Sequence, residues 1–170
     1  FSLSRRWQKG DSWNKTFYHV LTRCFLLLVI GWAISSSAKT SNFNNVMAQL
    51  SVTYLIAFLI MRKQIKWQLI VSFALILVSD LLYRFWPVEG FNQPFIAGQN
   101  FGSWTDMMLT GSLEHGNWVP FNAIPTSAHT IWGVITGMLL MKDWTPRKKI
   151  ITLLIAGSIG VIIGFAMNPF

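Results

Sequence analysis

The run "YHVLTRCFLLLVIGWAISSS", residues 18–37, sets the architecture. Its apolar residues are continuous rather than striped, over about the 20 residues a helix needs to cross the hydrocarbon core. Runs of the same kind follow at about 43–61, 66–86, 122–141 and 148–167. Open strands cannot satisfy their backbone in lipid. The expected fold class is therefore all-α: an integral-membrane helical bundle of about five transmembrane helices. A long outer loop, 87–121, separates the third from the fourth.

Composition agrees. Of the 170 residues, 52% are hydrophobic and 12% charged, with mean hydropathy +0.44. A soluble domain carries roughly twice that charged fraction. The formal charge of +8 would suit nucleic acid, but the charges cluster in short segments between apolar runs. No arginine-rich helix with interleaved aromatics offers a nucleic-acid footprint. The bilayer is the expected partner, and nucleic acid is not. The single cysteine, Cys24, lies in an apolar run and reads as a small buried residue. No Cys/His spacing suggests a metal.

The chain begins at Phe1 and stops at "GFAMNPF", just after an apolar run. Neither end reads as a natural terminus. The expectation is one membrane domain over 1–170, truncated at both ends.

The connecting segments alternate in charge. Arg5, Arg6, Lys9 and Lys15 precede the first run; Arg62, Lys63 and Lys66 join the second to the third; Lys142, Arg147, Lys148 and Lys149 join the fourth to the fifth. The first-to-second connection has only Lys39, and 87–121 has Glu89, Asp106 and Glu114 without lysine or arginine. Threading five spans puts every basic segment on one side, which the positive-inside rule makes cytoplasmic. The Phe1 end and loops 62–66 and 142–149 are then cytoplasmic, and 87–121 is periplasmic or extracellular. A bacterial inner membrane is the expected location. Trp86, Trp104, Trp118, Trp67 and Trp144 flank the spans as an interfacial belt would. The long loop is expected to fold back over the spans. Gly133 and Gly137 in the fourth run, with Gly157, Gly160 and Gly164 in the fifth, suggest close packing of those two helices.

Polar residues within the spans are the candidate site. Asp80 and Arg84 in "VSDLLYRFWP" share a helix face, either as a self-neutralising pair or lining a polar site. In "FNAIPTSAHTIWGVITG", 121–137, Asn122, Thr126, His129, Gly133 and Gly137 fall within an arc of roughly 80° at 100° per residue, with Ser127 off it. The stripe reads as site-lining or as packing. "IPTSAHT" superficially resembles the PSGH motif of phosphatidic-acid-phosphatase-type enzymes. It has one residue too many between proline and histidine, and the upstream phosphate-gripping element is missing.

Other segments resemble a known family. "GQNFGSWTDMMLTGS" is similar to a "G.N....iD.lllG" pattern, and "EHGNWVPFNAIPTSAHTIWGVITGMLL" to "dpeGllstl.ai.t.l.Gv.aG.ll". "NNVMAQLSVTYLIAFLI" stands where relatives have "vLqriAl.Y", and "MNPF" where they continue into "P..K..wTsSf". These resemble the heparan-alpha-glucosaminide N-acetyltransferase family of membrane acyltransferases, in its bacterial domain-of-unknown-function members, over nearly the whole chain.

The resemblance implies transfer of an acetyl group from acetyl-CoA, with no metal, to an amino-sugar-type acceptor on the outer side. The acyl-carrying histidine it implies would precede Phe1; His19, His115 and His129 do not match it. Asn100 and Asp106 are the family-matching polar residues of the outer loop, or else loop architecture, with Asp106 capping a helix near "DMMLTG". Asp106 or Glu114 would engage the acceptor, and Arg147, Lys148 and Lys149 would meet CoA or lipid phosphates. Substrate- or cofactor-lining candidates are Asn100, Asp106, Asn122, Thr126, His129, Asp80 and Arg84. A transporter or flippase using the polar stripe, a non-catalytic scaffold, and a homo-oligomer are the alternatives left open.

Overall fold

The computed structural model describes residue 10 and residues 12–38, 44–94, 96–113 and 118–166. Among the described residues every regular element is helical: α1 (Trp13–Ala38), α2 (Val46–Ile60), α3 (Ile65–Phe85), α4 (Phe101–Thr110), a 3₁₀ turn (Pro120–Asn122), α5 (Ala123–Leu140) and α6 (Pro146–Ala166). The all-helical expectation holds. Among the described residues three helices, α1, α3 and α6, are long and apolar enough to cross a membrane, and the chain is an integral membrane protein. At 21 residues α3 and α6 each extend about 31 Å. The run at 43–61 forms a shorter apolar helix of 15 residues, and α5 carries Pro125, Thr126, Ser127, His129 and Thr130 in its first half. Arg5, Arg6, Lys9, Lys39, Glu114, His115 and the "MNPF" end lie outside the described residues.

The chain divides into two compact units, Phe1–Trp132 and Gly133–Phe170. In the first, α1 and α2 run antiparallel. Val20, Cys24 and Phe58 are buried between them, with Phe17 and Tyr54 packed against this core. Phe17 stacks on Trp13 at 4.9 Å, which extends the helix ahead of the apolar run. Cys24 is buried as expected, and its thiol donates to the Ser51 carbonyl at 3.3 Å.

Asn45 begins α2 and ties it to α1. Its Oδ1 accepts from the Ala48 amide at 2.9 Å, and its Nδ2 donates to the Gly31 carbonyl at 3.2 Å and to Ser35 Oγ at 2.9 Å. A β-carbon at position 31 would stand 2.6 Å from Asn45 Oδ1, so only glycine admits this contact. At the other end of α2, buried Gln68 donates to the carbonyls of Met61 and Lys63, closing the turn into α3. Pro87 follows one residue after the end of α3; the residue before a proline is driven out of the helical region, and Trp86 is extended.

In the second unit, Pro146 opens α6 in the position where a missing N–H costs nothing. Lys149 Nζ donates to the Leu140 carbonyl at 2.8 Å, meeting an open acceptor at the end of α5. Lys142 and Lys148 flank the Trp144 ring at 4.6 and 4.2 Å. Among the described residues the expected glycine-mediated packing is not found: a β-carbon at Gly133, Gly137, Gly157, Gly160 or Gly164 would meet nothing there within 4 Å. Small-residue spacing permits close approach, but it supplies no attraction until a partner backbone arrives.

Candidate functional site: a cavity walled by the short helix

Among the described residues of 87–121, the one α-helix is α4, which packs against α3 and the 3₁₀ turn. Asn100 caps this helix, with Oδ1 accepting from the Ser103 amide at 3.0 Å while Nδ2 donates to the Ile96 carbonyl at 2.8 Å. Gly111 closes it in the left-handed conformation, φ 73°, its amide donating to the Met107 carbonyl. Asp106 does not cap a helix. It sits within α4 and is 1% exposed, and Thr110 Oγ1 donates to its carbonyl at 2.8 Å and lies 3.5 Å from its Oδ1.

One face of α4 is held by aromatic packing. Phe101 meets Trp86 at 4.6 Å and Phe121 at 4.7 Å, both edge-on, and Trp104 meets Trp86 at 4.6 Å. These offset geometries suit the ring quadrupoles. Trp86 and Trp104, expected in an interfacial belt, pack into this cluster. Gly102 presses against the Tyr83 hydroxyl and Val119.

Trp104, Thr105, Met108 and Leu109 wall a cavity of about 540 Å³. Leu28 of α1 and Ala48, Gln49 and Val52 of α2 line it too, and Trp118 to Phe121 with Ala123 and Ile124 complete it. The volume suits a small organic ligand. Among the described lining residues none is charged, and the polar ones are largely engaged: Asn45 as above, and Gln49 Nε2 with Thr126 Oγ1 at 2.9 Å. The cavity therefore offers dispersion and aromatic faces rather than acid–base groups.

None of the seven candidate residues lines this cavity. Asn100 and Asp106 shape α4 from behind. Asn122 accepts a long hydrogen bond from the Tyr83 hydroxyl, 3.4 Å, and Thr126 accepts from Gln49. His129 is exposed and lies edge-on to Trp132 at 5.2 Å, while Trp132 Nε1 donates to Ser72 Oγ at 2.8 Å. The expected stripe is therefore not a continuous lining. The buried residues of α5 are Ala123, Ser127, Ala128 and Ile131, centred roughly 150° around the helix from Thr126 and His129. Ser127, off the expected arc, is fully buried and donates to the Ala123 carbonyl at 2.7 Å. Asp80 and Arg84 form an ion pair on α3, Nε to Oδ2 2.8 Å and Nε to Oδ1 3.0 Å, each partly exposed. Among the described residues no three His, Cys, Asp or Glu side chains come together as metal ligands.

The lining falls instead to residues outside the candidate set, among them Trp104 and Trp118, which the sequence placed in an interfacial belt. The signal for them was the i, i+4 pairing of Trp104 with Met108 and of Thr105 with Leu109, which marks a second apolar face on a helix otherwise held by Phe101.

No protein-family model, curated protein or solved structure matches the chain. Fold and site together define an all-helical integral membrane protein with an apolar cavity walled in part by the short helix α4.

Proposed function

We propose that this chain is part of an integral-membrane acyltransferase, moving an acetyl group from acetyl-CoA to an amino-sugar-type acceptor on the outer side of a bacterial inner membrane. In this reading loop 87–121 faces outward, and the α4 cavity receives the apolar part of one substrate.

One observation carries the reading. The stretch whose pattern resembles the acyltransferases, "GQNFGSWTDMMLTGS", is the stretch that builds the cavity wall. Asn100 starts α4, Gly102 lets it seat, and Trp104, Thr105, Met108 and Leu109 face the cavity.

A second reading, a flippase or lipid transporter, is favoured by the uncharged lining, which suits a lipid chain better than a sugar. Incubating the protein that carries this chain with radiolabelled acetyl-CoA separates the two. Acyl transfer predicts protein-bound label that chases into glucosamine. Failure to label, with lipid movement in reconstituted vesicles, would replace it by the transport reading.

A further inference from the structure

A cation stands on α1 without a counter-ion. Arg23 lies within the first apolar run, just ahead of its unbroken aliphatic stretch, and is exposed, with no carboxylate or hydrogen-bond partner among the described residues. Its guanidinium lies over the Tyr54 ring of α2, 6.0 Å from the centroid. Leu26, Leu27 and Ile30 follow at the i+3, i+4 and i+7 spacing of a single helix face. On α2, Leu50 lies one turn from Tyr54. The helices are antiparallel, with Cys24 against Ser51 and Gly31 against Asn45, so Leu50 falls toward Ile30. The result is a groove of about 410 Å³ with a cation at one end and aliphatic side chains toward the other.

We propose that this groove holds one anionic glycerophospholipid, its phosphodiester on Arg23 and an acyl chain along Leu26, Leu27, Ile30 and Leu50. An ionisable group within a span needs an anion, water or a route to the interface, and basic pockets between membrane helices take phospholipid headgroups. Charge and hydrophobicity together select the occupant. Free phosphate would meet Arg23 but leave the aliphatic length uncovered, and diacylglycerol would cover that length but leave the cation unmet. The Tyr54 hydroxyl, on the same wall, is buried with no hydrogen-bond partner among the described residues. This site is separate from the α4 cavity and does not depend on the acyl-transfer reading.

The test is native mass spectrometry of the detergent-solubilised protein, titrated with dioleoylphosphatidylglycerol, dioleoylglycerol or glycerol 3-phosphate. One phosphatidylglycerol should be retained at least ten-fold more tightly than dioleoylglycerol, and glycerol 3-phosphate should not displace it. Arg23→Gln should abolish that preference, Arg23→Lys should keep most of it, and Leu27→Trp should weaken both lipids by filling the groove. Undiminished preference in Arg23→Gln, or no preference in the unaltered protein, overturns the site. Displacement by millimolar glycerol 3-phosphate overturns the lipid as its occupant.

Discussion

Gly102 and the Tyr83 hydroxyl are in such close contact that a β-carbon at position 102 would overlap the tyrosine oxygen and come within 2.7 Å of Val119 Cγ2. This single approach seats α4 against the end of α3 and thereby shapes the cavity on its other face. Gly102→Ala is predicted to destabilise the fold by about 1–3 kcal/mol, the usual cost of overpacking. Thermal unfolding in detergent checks it, with Tyr83→Phe in the same chain restoring part of the loss.

Asn45 couples a helix cap to an interhelical tie. Asn45→Ala removes the Ala48 cap and the donors to Gly31 and Ser35 at once. Losing a cap alone costs about 1 kcal/mol, so a larger loss is expected here. Asn45→Asp keeps the cap but not the donors and should fall between the two in a denaturation series.

The Gln49–Thr126 bond joins α2 to α5 at 2.9 Å. Interhelical hydrogen bonds in membrane proteins contribute on average about 0.6 kcal/mol. A double-mutant cycle with Gln49→Leu and Thr126→Val should give a coupling near that size. Zero coupling would show that the two side chains do not meet in the membrane.

His129 is exposed and lies outside the cavity lining. His129→Ala is therefore predicted to leave expression, stability and acetyl transfer within about two-fold of the unaltered protein, because surface substitutions away from special features typically change stability by less than about 0.5 kcal/mol. A ten-fold loss of turnover at normal expression would return the histidine to the site.

The long helices were legible because continuous apolar runs bounded by basic loops have few other solutions in lipid. The α4 helix was harder to see. Its ten residues carry no long apolar run, and the cap is Asn100 rather than Asp106 because Phe101 and Trp104 are drawn in by Trp86 and Phe121. Polarity along α5 misled for a related reason. Thr126 and His129 share a face by helical geometry, yet burial on that helix falls on another face, Ala123, Ser127, Ala128 and Ile131, set by its neighbours rather than by its polarity. The glycines of α6 show the limit of spacing: it states what could pack, and tertiary context decides whether anything does. Arg23, inside the first apolar run, drew no notice among the loop charges, although its isolation makes it informative.

The most direct measurement is acetyl transfer to glucosamine by the protein that carries this chain, with the α4 cavity filled by Leu109→Trp. Leu109 lines the cavity and is well exposed, so the larger ring can enter it without disturbing the packed face of α4. The account predicts acetyl transfer in the unaltered protein and at least a ten-fold fall in the variant, at unchanged thermal stability. No transfer in the unaltered protein, or undiminished transfer with the cavity filled, would contradict it.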